Sequence, residues 1–190
     1  MVSGDWTGLT FPVYSLVGGK WTSYRAFSEQ AGDKALTYLG LRRQKSTRDL
    51  PIGGGRSFAR NMDERKKQME ALAAWTGLDR EGLELLYERY GSRAEAVADY
   101  LKRGSDEILK TVPGYTRLEI AFLALNEKKL HLDDRVLRCA MLAMLGQLTK
   151  AGLVELAEVT GEALGWTGEQ KTAEAKRALP ILAGRHGVRL

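Results

Sequence analysis

Apolar and polar residues follow one another along most of this chain with the spacing of amphipathic α-helices. In the first such segment, Thr22 to Leu39, apolar residues recur at near-helical intervals. Gly40 follows where a helix commonly ends. After about residue 60 the spacing returns in six or so short segments joined by short loops. The pattern predicts a mainly α fold, with a compact helical bundle as its principal part.

Capping residues mark the predicted helix starts. Asp79 stands before an apolar face in LDREGLELLYERYG and is typical of an N-cap. Three segments match the capping box, in which a hydroxyl and a carboxylate or amide satisfy two backbone N–H groups: Ser92 with Glu95, Thr116 with Glu119, and Thr167 with Gln170. LDDRVLRCAMLAML is so apolar in its second half that it predicts a buried central helix. Pro180 is expected to kink or shorten the last helix.

The pattern also predicts how the chain is divided. Residues 1–40 combine a β-like run, LTFPVYSLV, with a Gly-Gly turn and the first helix. Pro12 inside that run favours an edge strand or a strand start. Residues 41–59 are basic and rich in Gly and Pro, which is typical of a linker. Residues 60–190 form the predicted helical domain.

Composition narrows the class of protein. Of the 190 residues 44% are hydrophobic and 28% charged, as in ordinary globular proteins. The single cysteine excludes an internal disulfide and fits a reducing compartment. We see no apolar stretch long enough to span a membrane and no signal peptide. The net charge of +5 would suit a nucleic acid, an anionic membrane surface or an anionic ligand.

The segment Gly18-Gly19-Lys20-Trp21-Thr22-Ser23 is the strongest candidate site. Glycines allow a ligand to approach the backbone closely, and the following helix start presents free N–H groups. Lys20 adds a full positive charge, so the segment could bind an anion or the N1–C2=O edge of a reduced flavin. A plain strand-to-helix turn with an exposed lysine is the alternative, and spacing alone favours it.

Other candidates carry less chemistry. Gly53-Gly54-Gly55-Arg56 lacks the phosphate-loop pattern and indicates a connector. His131 has no partners at metal-ligand spacing, so no metal site is predicted. Cys139 is surrounded by apolar residues and indicates an inert core thiol. The basic runs at 42–48 and 65–67 lack the interleaved aromatic residues that stack on bases. No nucleophile and base can be paired, so no catalytic residue is assigned.

Several segments, in order, resemble one enzyme family. SLVGGKWTSYRAFSEQAGDKAL, STRDLPIGGG and LDREGLELLYERYGSRAEAV are similar to the C-terminal part of FAD-dependent glycerol-3-phosphate dehydrogenases and the related glycerophosphate oxidases. The ending EALGWTGEQKTAEAKR is similar to the last helix pair of that family. The resemblance covers nearly the whole chain after about Leu9 and implies a remnant of the flavin domain followed by a helical domain.

The resemblance also implies a site and a reaction. Gly18, Gly19, Lys20, Trp21 and Thr22 would lie beside the isoalloxazine ring of FAD, with Lys20 also near the substrate phosphate. The implied reaction is hydride transfer from C2 of glycerol 3-phosphate to flavin N5, which forms dihydroxyacetone phosphate. Electrons would then pass to quinone. No residue here matches the catalytic base of the family.

Two departures from the family shape the expectations. The N-terminal flavin signature G-x-G-x-x-G and the substrate-binding sheet domain are absent from these 190 residues, so the chain is expected to be a C-terminal fragment. Alone it should be inactive and bind FAD weakly or not at all, since the pyrophosphate has no helix N-terminus to occupy. The second departure is Leu137-Arg138-Cys139-Ala140, where relatives carry paired arginines and a hydroxyl residue.

The resemblance implies several partners. They are the N-terminal flavin and substrate domains of the same polypeptide, together with glycerol 3-phosphate and quinone. It also allows a homodimer, a cytoplasmic location, and peripheral contact with the inner face of the cytoplasmic membrane. The helical domain is expected to serve packing or association. The alternative is a stand-alone basic helical module that binds a phosphorylated metabolite or nucleic acid, although nucleic acid is not the partner we expect.

Overall fold

The computed structural model describes residues 2–4, 10–18, 20–127 and 131–190, and confirms the predicted mainly α fold class. The chain forms two compact units, residues 1–52 and residues 53–190. The finer division into 1–40, 41–59 and 60–190 stays a prediction.

The first unit holds a short hairpin and one helix. Strands β1 (Val2–Gly4) and β2 (Val13–Ser15) pair antiparallel, with Val2 opposite Ser15. Pro12 comes directly before β2, where its missing N–H costs no ladder hydrogen bond. A 3₁₀ turn, Trp21–Ser23, then leads into helix α1 (Tyr24–Tyr38). The helix predicted for this segment is confirmed.

Helix α1 has no buried side chain. Its predicted apolar face is largely in solvent, with Tyr24 51% exposed and Leu39, just after the helix, 65% exposed. The polar side chains of Arg25, Glu29 and Asp33 instead hold the loop that follows the helix. Within its described residues, the first unit therefore lacks an apolar interior of its own.

The second unit contains the remaining helices. They are α2 (Met62–Thr76), α3 (Arg80–Tyr90), α4 (Ala94–Leu101), α5 (Arg117–Asn126), α6 (Leu132–Asp134), α7 (Lys150–Leu164) and α8 (Gly168–His186). One apolar cluster joins α2, α3 and α4 with Phe122 of α5. A larger cluster joins α5, α7 and α8 with the segment between α6 and α7. Tyr90 packs against both clusters, so the unit has a nearly continuous core.

The predicted capping boxes have three different outcomes. Thr167 and Gln170 form the full reciprocal box at the start of α8. Thr116 accepts the N–H of Glu119, but the Glu119 carboxylate turns inward to other partners. The Ser92 box is wrong, because Ser92 lies in a 3₁₀ turn (Gly91–Arg93) and its hydroxyl donates to the carbonyl of Gly54.

The predicted central helix is also wrong. Helix α6 lasts one turn and continues as a π-helical segment, Arg135–Cys139. Three consecutive side chains at the start of this segment are buried. A regular α-helix that packs one face against a core does not bury three side chains in a row. Met141 then takes a left-handed conformation (φ 52°), and Met144 beyond it is 67% exposed. In the last helix, Pro180 lies inside α8, which continues to His186, so Pro180 does not shorten it.

Candidate functional site

The segment 18–23 lies between β2 and α1, as predicted for a strand–turn–helix corner. Lys20 is exposed, and its carbonyl accepts hydrogen bonds from the backbone N–H and the hydroxyl of Ser23, at 3.4 Å and 3.1 Å. Thr22 is exposed. Gly19 and the side chain of Trp21 lie outside the described parts of the chain. The structure therefore describes Gly18, Lys20 and Thr22 of the five predicted cofactor residues, together with the backbone of Trp21.

Gly18 is not required by the fold. Its φ lies outside the left-handed region, and an added Cβ would meet the ring of Phe27 at 3.5 Å, an ordinary contact. Ser23, at the N-cap of α1, makes no side-chain capping bond, because its hydroxyl goes back to Lys20. The corner therefore combines a glycine that packing does not explain with a helix start that lacks a side-chain cap.

Glu29 organises the polar side of α1. Its Oε1 accepts the amide N–H of Thr47 at 2.7 Å and the hydroxyl of Ser46 at 2.9 Å. Its carboxylate also pairs with Arg25, at 3.0 Å, and with Arg43. The Thr47 amide, followed by the Ser46 hydroxyl, lowers the pKa of Glu29 to about 2. Glu29 thus stays ionised and fixes the Ser-Thr turn of the loop on the helix.

Sequence reasoning gave Glu29 no role. Its bonds cross 17 and 18 residues of chain to Ser46 and Thr47, a separation that no helical period predicts. A usable signal was present, however. The hydroxyl pair in a Gly/Pro-rich loop and a carboxylate in the middle of the preceding helix are complementary donor and acceptor groups.

A second polar network lies inside the helical unit. Glu119 is 2% exposed, and its two carboxylate oxygens accept from Nη1 of Arg89 at 2.9 Å and 3.0 Å. The hydroxyl of Tyr90 donates to the same carboxylate at 2.6 Å. The Arg89 guanidinium lies 3.8 Å from the ring centroid of Tyr115. Each charged group is partnered, as burial of an ion pair requires, so the network joins α3 to α5.

The glycine loop at 53–55 has a packing role. An added Cβ on Gly54 would lie 2.4 Å from the carbonyl oxygen of Tyr90, and one on Gly91 would lie 2.4 Å from the carbonyl oxygen of Gly54. Ser92 bonds the Gly54 carbonyl through both its N–H and its hydroxyl. This backbone-to-backbone contact, rather than a phosphate, accounts for Gly54.

The remaining candidates do not assemble into a site. His131 contacts Glu174 at 3.1 Å on the surface, and Cys139 is half-buried in the π-helical segment. Across the described residues, no three His, Cys, Asp or Glu side chains are placed to hold a metal ion. In the same ranges, no helix is both long and apolar enough to cross a membrane.

Comparison with known proteins defines the class of protein as the C-terminal domain of an oxidase family. The profile of the C-terminal domain of alpha-glycerophosphate oxidase matches residues 45–171. The chain belongs to this family, which confirms the resemblance found in the sequence.

Similar proteins carry one consistent name. The chain is 29% identical to a glycerol-3-phosphate dehydrogenase of Mycobacterium leprae over 167 residues, which are 83% of this chain and 28% of that protein. It is 29% identical to glycerol-3-phosphate dehydrogenase 2 of Mycobacterium tuberculosis over 162 residues, 80% of this chain and 26% of the relative. A mitochondrial glycerol-3-phosphate dehydrogenase of Saccharomyces cerevisiae is 27% identical over 97 residues, 50% of this chain and 14% of the relative. The chain thus spans about a quarter of the length of the first two relatives.

Proposed function

We propose that this chain supplies the C-terminal part of a flavin-dependent glycerol-3-phosphate dehydrogenase. The assembled enzyme would oxidise glycerol 3-phosphate to dihydroxyacetone phosphate and pass the electrons to quinone. The observation that carries the proposal is the family match over residues 45–171, supported by relatives that align with 80–83% of the chain. FAD, when bound in the assembled enzyme, would supply the hydride acceptor.

We propose that residues 18–22 contact the edge of a flavin. Gly18 leaves the backbone open without any demand from packing, and the start of α1 lacks a side-chain cap. The exposed ammonium of Lys20 would stabilise negative charge on a reduced ring or on the substrate phosphate. Gly19, Trp21 and Thr22 complete the proposed contact, and Lys20 is the proposed substrate ligand.

The exposed face of α1 supports a further domain as partner. Tyr24 and Tyr38 of α1 are more than half exposed, and the apolar face of an amphipathic helix is normally covered by another element. The proposed cover is the flavin and substrate domains of the same polypeptide. We further propose a cytoplasmic location with peripheral contact with the inner face of the membrane, and leave homodimer formation as a prediction. Without its partner domains, the 190-residue chain is proposed to bind FAD weakly or not at all and to be inactive.

A chimera tests the proposal. Residues 10–190 would replace the matching C-terminal region of the Mycobacterium tuberculosis relative, and bleaching of flavin absorbance by glycerol 3-phosphate would be followed. We expect a yellow protein that glycerol 3-phosphate reduces. Lys20→Met should slow flavin reduction by about tenfold or more, since it removes one preorganised charge. Lys34→Met removes another exposed lysine, in α1, and serves as the control.

The outcomes separate the two levels of the proposal. A folded chimera without flavin, or one that glycerol 3-phosphate does not reduce, contradicts the enzyme assignment. A reducible chimera in which Lys20→Met behaves like Lys34→Met contradicts the site assignment alone. A stoichiometrically yellow, active preparation of the 190-residue chain by itself contradicts the need for partner domains.

A further inference from the structure

An open cleft of about 720 Å³ lies between helix α1 and the loop 41–48. Its charged lining comprises five cations and two carboxylates: Arg25, Arg42, Arg43, Lys45, Arg48, Glu29 and Asp33. The lining therefore has a formal charge of +3. The whole chain has a net charge of +5, so the excess positive charge at this cleft equals more than half of it.

The two carboxylates hold the cleft in shape. Glu29 binds the Ser46-Thr47 turn and pairs with Arg25 and Arg43. Asp33 accepts two bonds from the Arg43 guanidinium, Nε to Oδ1 at 2.8 Å and Nη2 to Oδ2 at 3.1 Å. Their negative charge is thus already taken up by Arg25 and Arg43, and the loop is fixed on the helix.

Three cations of the loop stay uncompensated. Arg42, Lys45 and Arg48 are exposed and line the cleft, and none pairs with an acidic group in the described part of the chain. Three like charges within seven residues repel one another unless an anion neutralises them. Guanidinium forks match the oxygens of a phosphate, and an ammonium adds a point charge.

We propose that this cleft binds a phosphate-bearing anion through Arg42, Lys45 and Arg48. A phosphate group offers about two negative charges and three acceptor oxygens, which suits a donor set of two guanidinium groups and one ammonium. The volume is in the range of small-molecule sites. The phosphate could belong to a free phosphorylated metabolite or to a phospholipid headgroup. Neither source requires flavin, so the inference is independent of the proposed enzyme activity.

Calorimetry on the 190-residue protein tests this site. The probe is inorganic tripolyphosphate at low ionic strength, where exposed charges are least screened. The test variant carries Arg42→Gln, Lys45→Gln and Arg48→Gln. The matched control carries Arg60→Gln, Lys66→Gln and Lys67→Gln, which removes the same charge from exposed residues of the other unit. We expect the dissociation constant to rise about tenfold or more in the test variant and to change little in the control.

Sedimentation with vesicles identifies the source of the phosphate. Vesicles of phosphatidylglycerol are compared with vesicles of phosphatidylcholine. If the protein binds tripolyphosphate and only the test variant loses this binding, the phosphate belongs to a free metabolite. If the protein binds only the anionic vesicles, and only the test variant loses this binding, the phosphate belongs to a lipid headgroup. Equal losses in test and control variants, or no binding to either probe, would overturn the proposal. If the triple variant loses helix content by circular dichroism, Lys45→Gln alone replaces it and should weaken binding several-fold.

Discussion

Buried polar side chains give this molecule its sharpest single-residue effects. Glu119 and Thr160 are both essentially fully buried, yet their surroundings differ. The Glu119 carboxylate meets a guanidinium and a phenol, whereas the Thr160 hydroxyl has no hydrogen-bond partner among the described residues. Replacing a buried polar group that has hydrogen-bond partners should destabilise the protein, whereas replacing one without partners should stabilise it.

Thr160→Val should stabilise the protein by about 1 kcal/mol, because it keeps the shape of the side chain and removes an unsatisfied hydroxyl. Urea denaturation would measure the change. Thr172→Val is the matched control, because the Thr172 hydroxyl is exposed and bonds the carbonyl of Gly168. The control should stay within about 0.5 kcal/mol of the wild type. Destabilisation by Thr160→Val would show that the hydroxyl has a partner after all.

The phenol of Tyr90 should make stability fall at alkaline pH. Burial, and then the charge of Glu119, raise the pKa of Tyr90 above its ordinary value of 10.0. Burial raises the pKa of Tyr115 as well. The folded protein therefore holds these protons more tightly than the unfolded chain. Their contribution is complete below pH 10.0 and is lost progressively as the pH rises above it.

Urea midpoints measured across pH 8 to 11 would show this decline, a window about the ordinary tyrosine pKa. Tyr90→Phe should reduce the steepness of the decline without removing it, since Tyr115 remains. Tyr24→Phe changes an exposed ring on α1 and should leave the decline unaltered. A decline equally steep in Tyr90→Phe and the wild type would contradict the assignment to Tyr90.

At the scale of the element, local sequence predicts where a helix starts better than it predicts which partners the capping side chains bind. Thr167 and Gln170 act within four residues of chain, and their box formed as predicted. Glu119 matches the same motif, but Arg89 lies 30 residues away and takes its carboxylate. Ser92 is drawn to Gly54, 38 residues upstream. A capping motif predicts the hydrogen bonds of its side chains only where no distant residue competes more strongly for the same polar group.

The π-helical segment shows a second limit of the sequence pattern. The apolar run in LDDRVLRCAMLAML predicts burial correctly for Val136 and Leu142, both 0% exposed. It does not predict that the chain turns at Met141 and leaves Met144 in solvent. An apolar run without a clear period contains no information on which residue faces the core.

The turn between α3 and α4 should be unusually sensitive to a single added methyl group. Gly91→Ala would place a Cβ 2.4 Å from the carbonyl oxygen of Gly54, in a residue with φ 58°. Strain and overlap together should cost about 3 kcal/mol or more. Gly77→Ala shares the positive φ (74°) but meets no atom within 4 Å, so it should cost about 1 kcal/mol. Equal losses in thermal or urea denaturation would mean that the close contact with Gly54 contributes nothing.

At the scale of the whole molecule, all of the buried residues that the structure describes lie in one of the two units. Every buried residue of the described chain lies between Met69 and Leu182. Hydrophobic periodicity predicted the bundle because its helices pack on one another. The same periodicity predicted the helix α1, but none of the side chains of this helix is buried within the described chain. A pattern shows that a face needs a partner, but the partner can lie outside the sequence at hand.

Limited proteolysis should therefore begin in the first unit. We expect trypsin to cut within residues 42–48 before it cuts the helices of the second unit, because none of the described residues of the first unit is buried to resist local opening. Mass spectrometry of the early products should show a persistent fragment that ends at Leu190 and retains helical circular dichroism. Early cleavage at Arg103 or Lys150, inside the second unit, would contradict this order.

The backbone setting of the candidate site was predictable from the sequence, whereas the long-range contacts around it were not. Gly18, Lys20 and Thr22 lie where a strand–turn–helix corner was predicted, and their role beside a flavin stays a prediction. Glu29 and the loop it holds were not predicted, because they depend on contacts between distant positions. The network around Glu119 escaped prediction for the same reason.

The contact between Gly54 and Gly91 has a consequence for how sequence change can be repaired. A bulky residue in a core can be offset by a smaller neighbour, because side chains share one volume. Here each glycine faces main-chain atoms of the other segment, and no substitution can make the main chain smaller. A selection for second-site suppressors of Gly91→Ala should therefore recover reversion to glycine far more often than compensating changes at position 54.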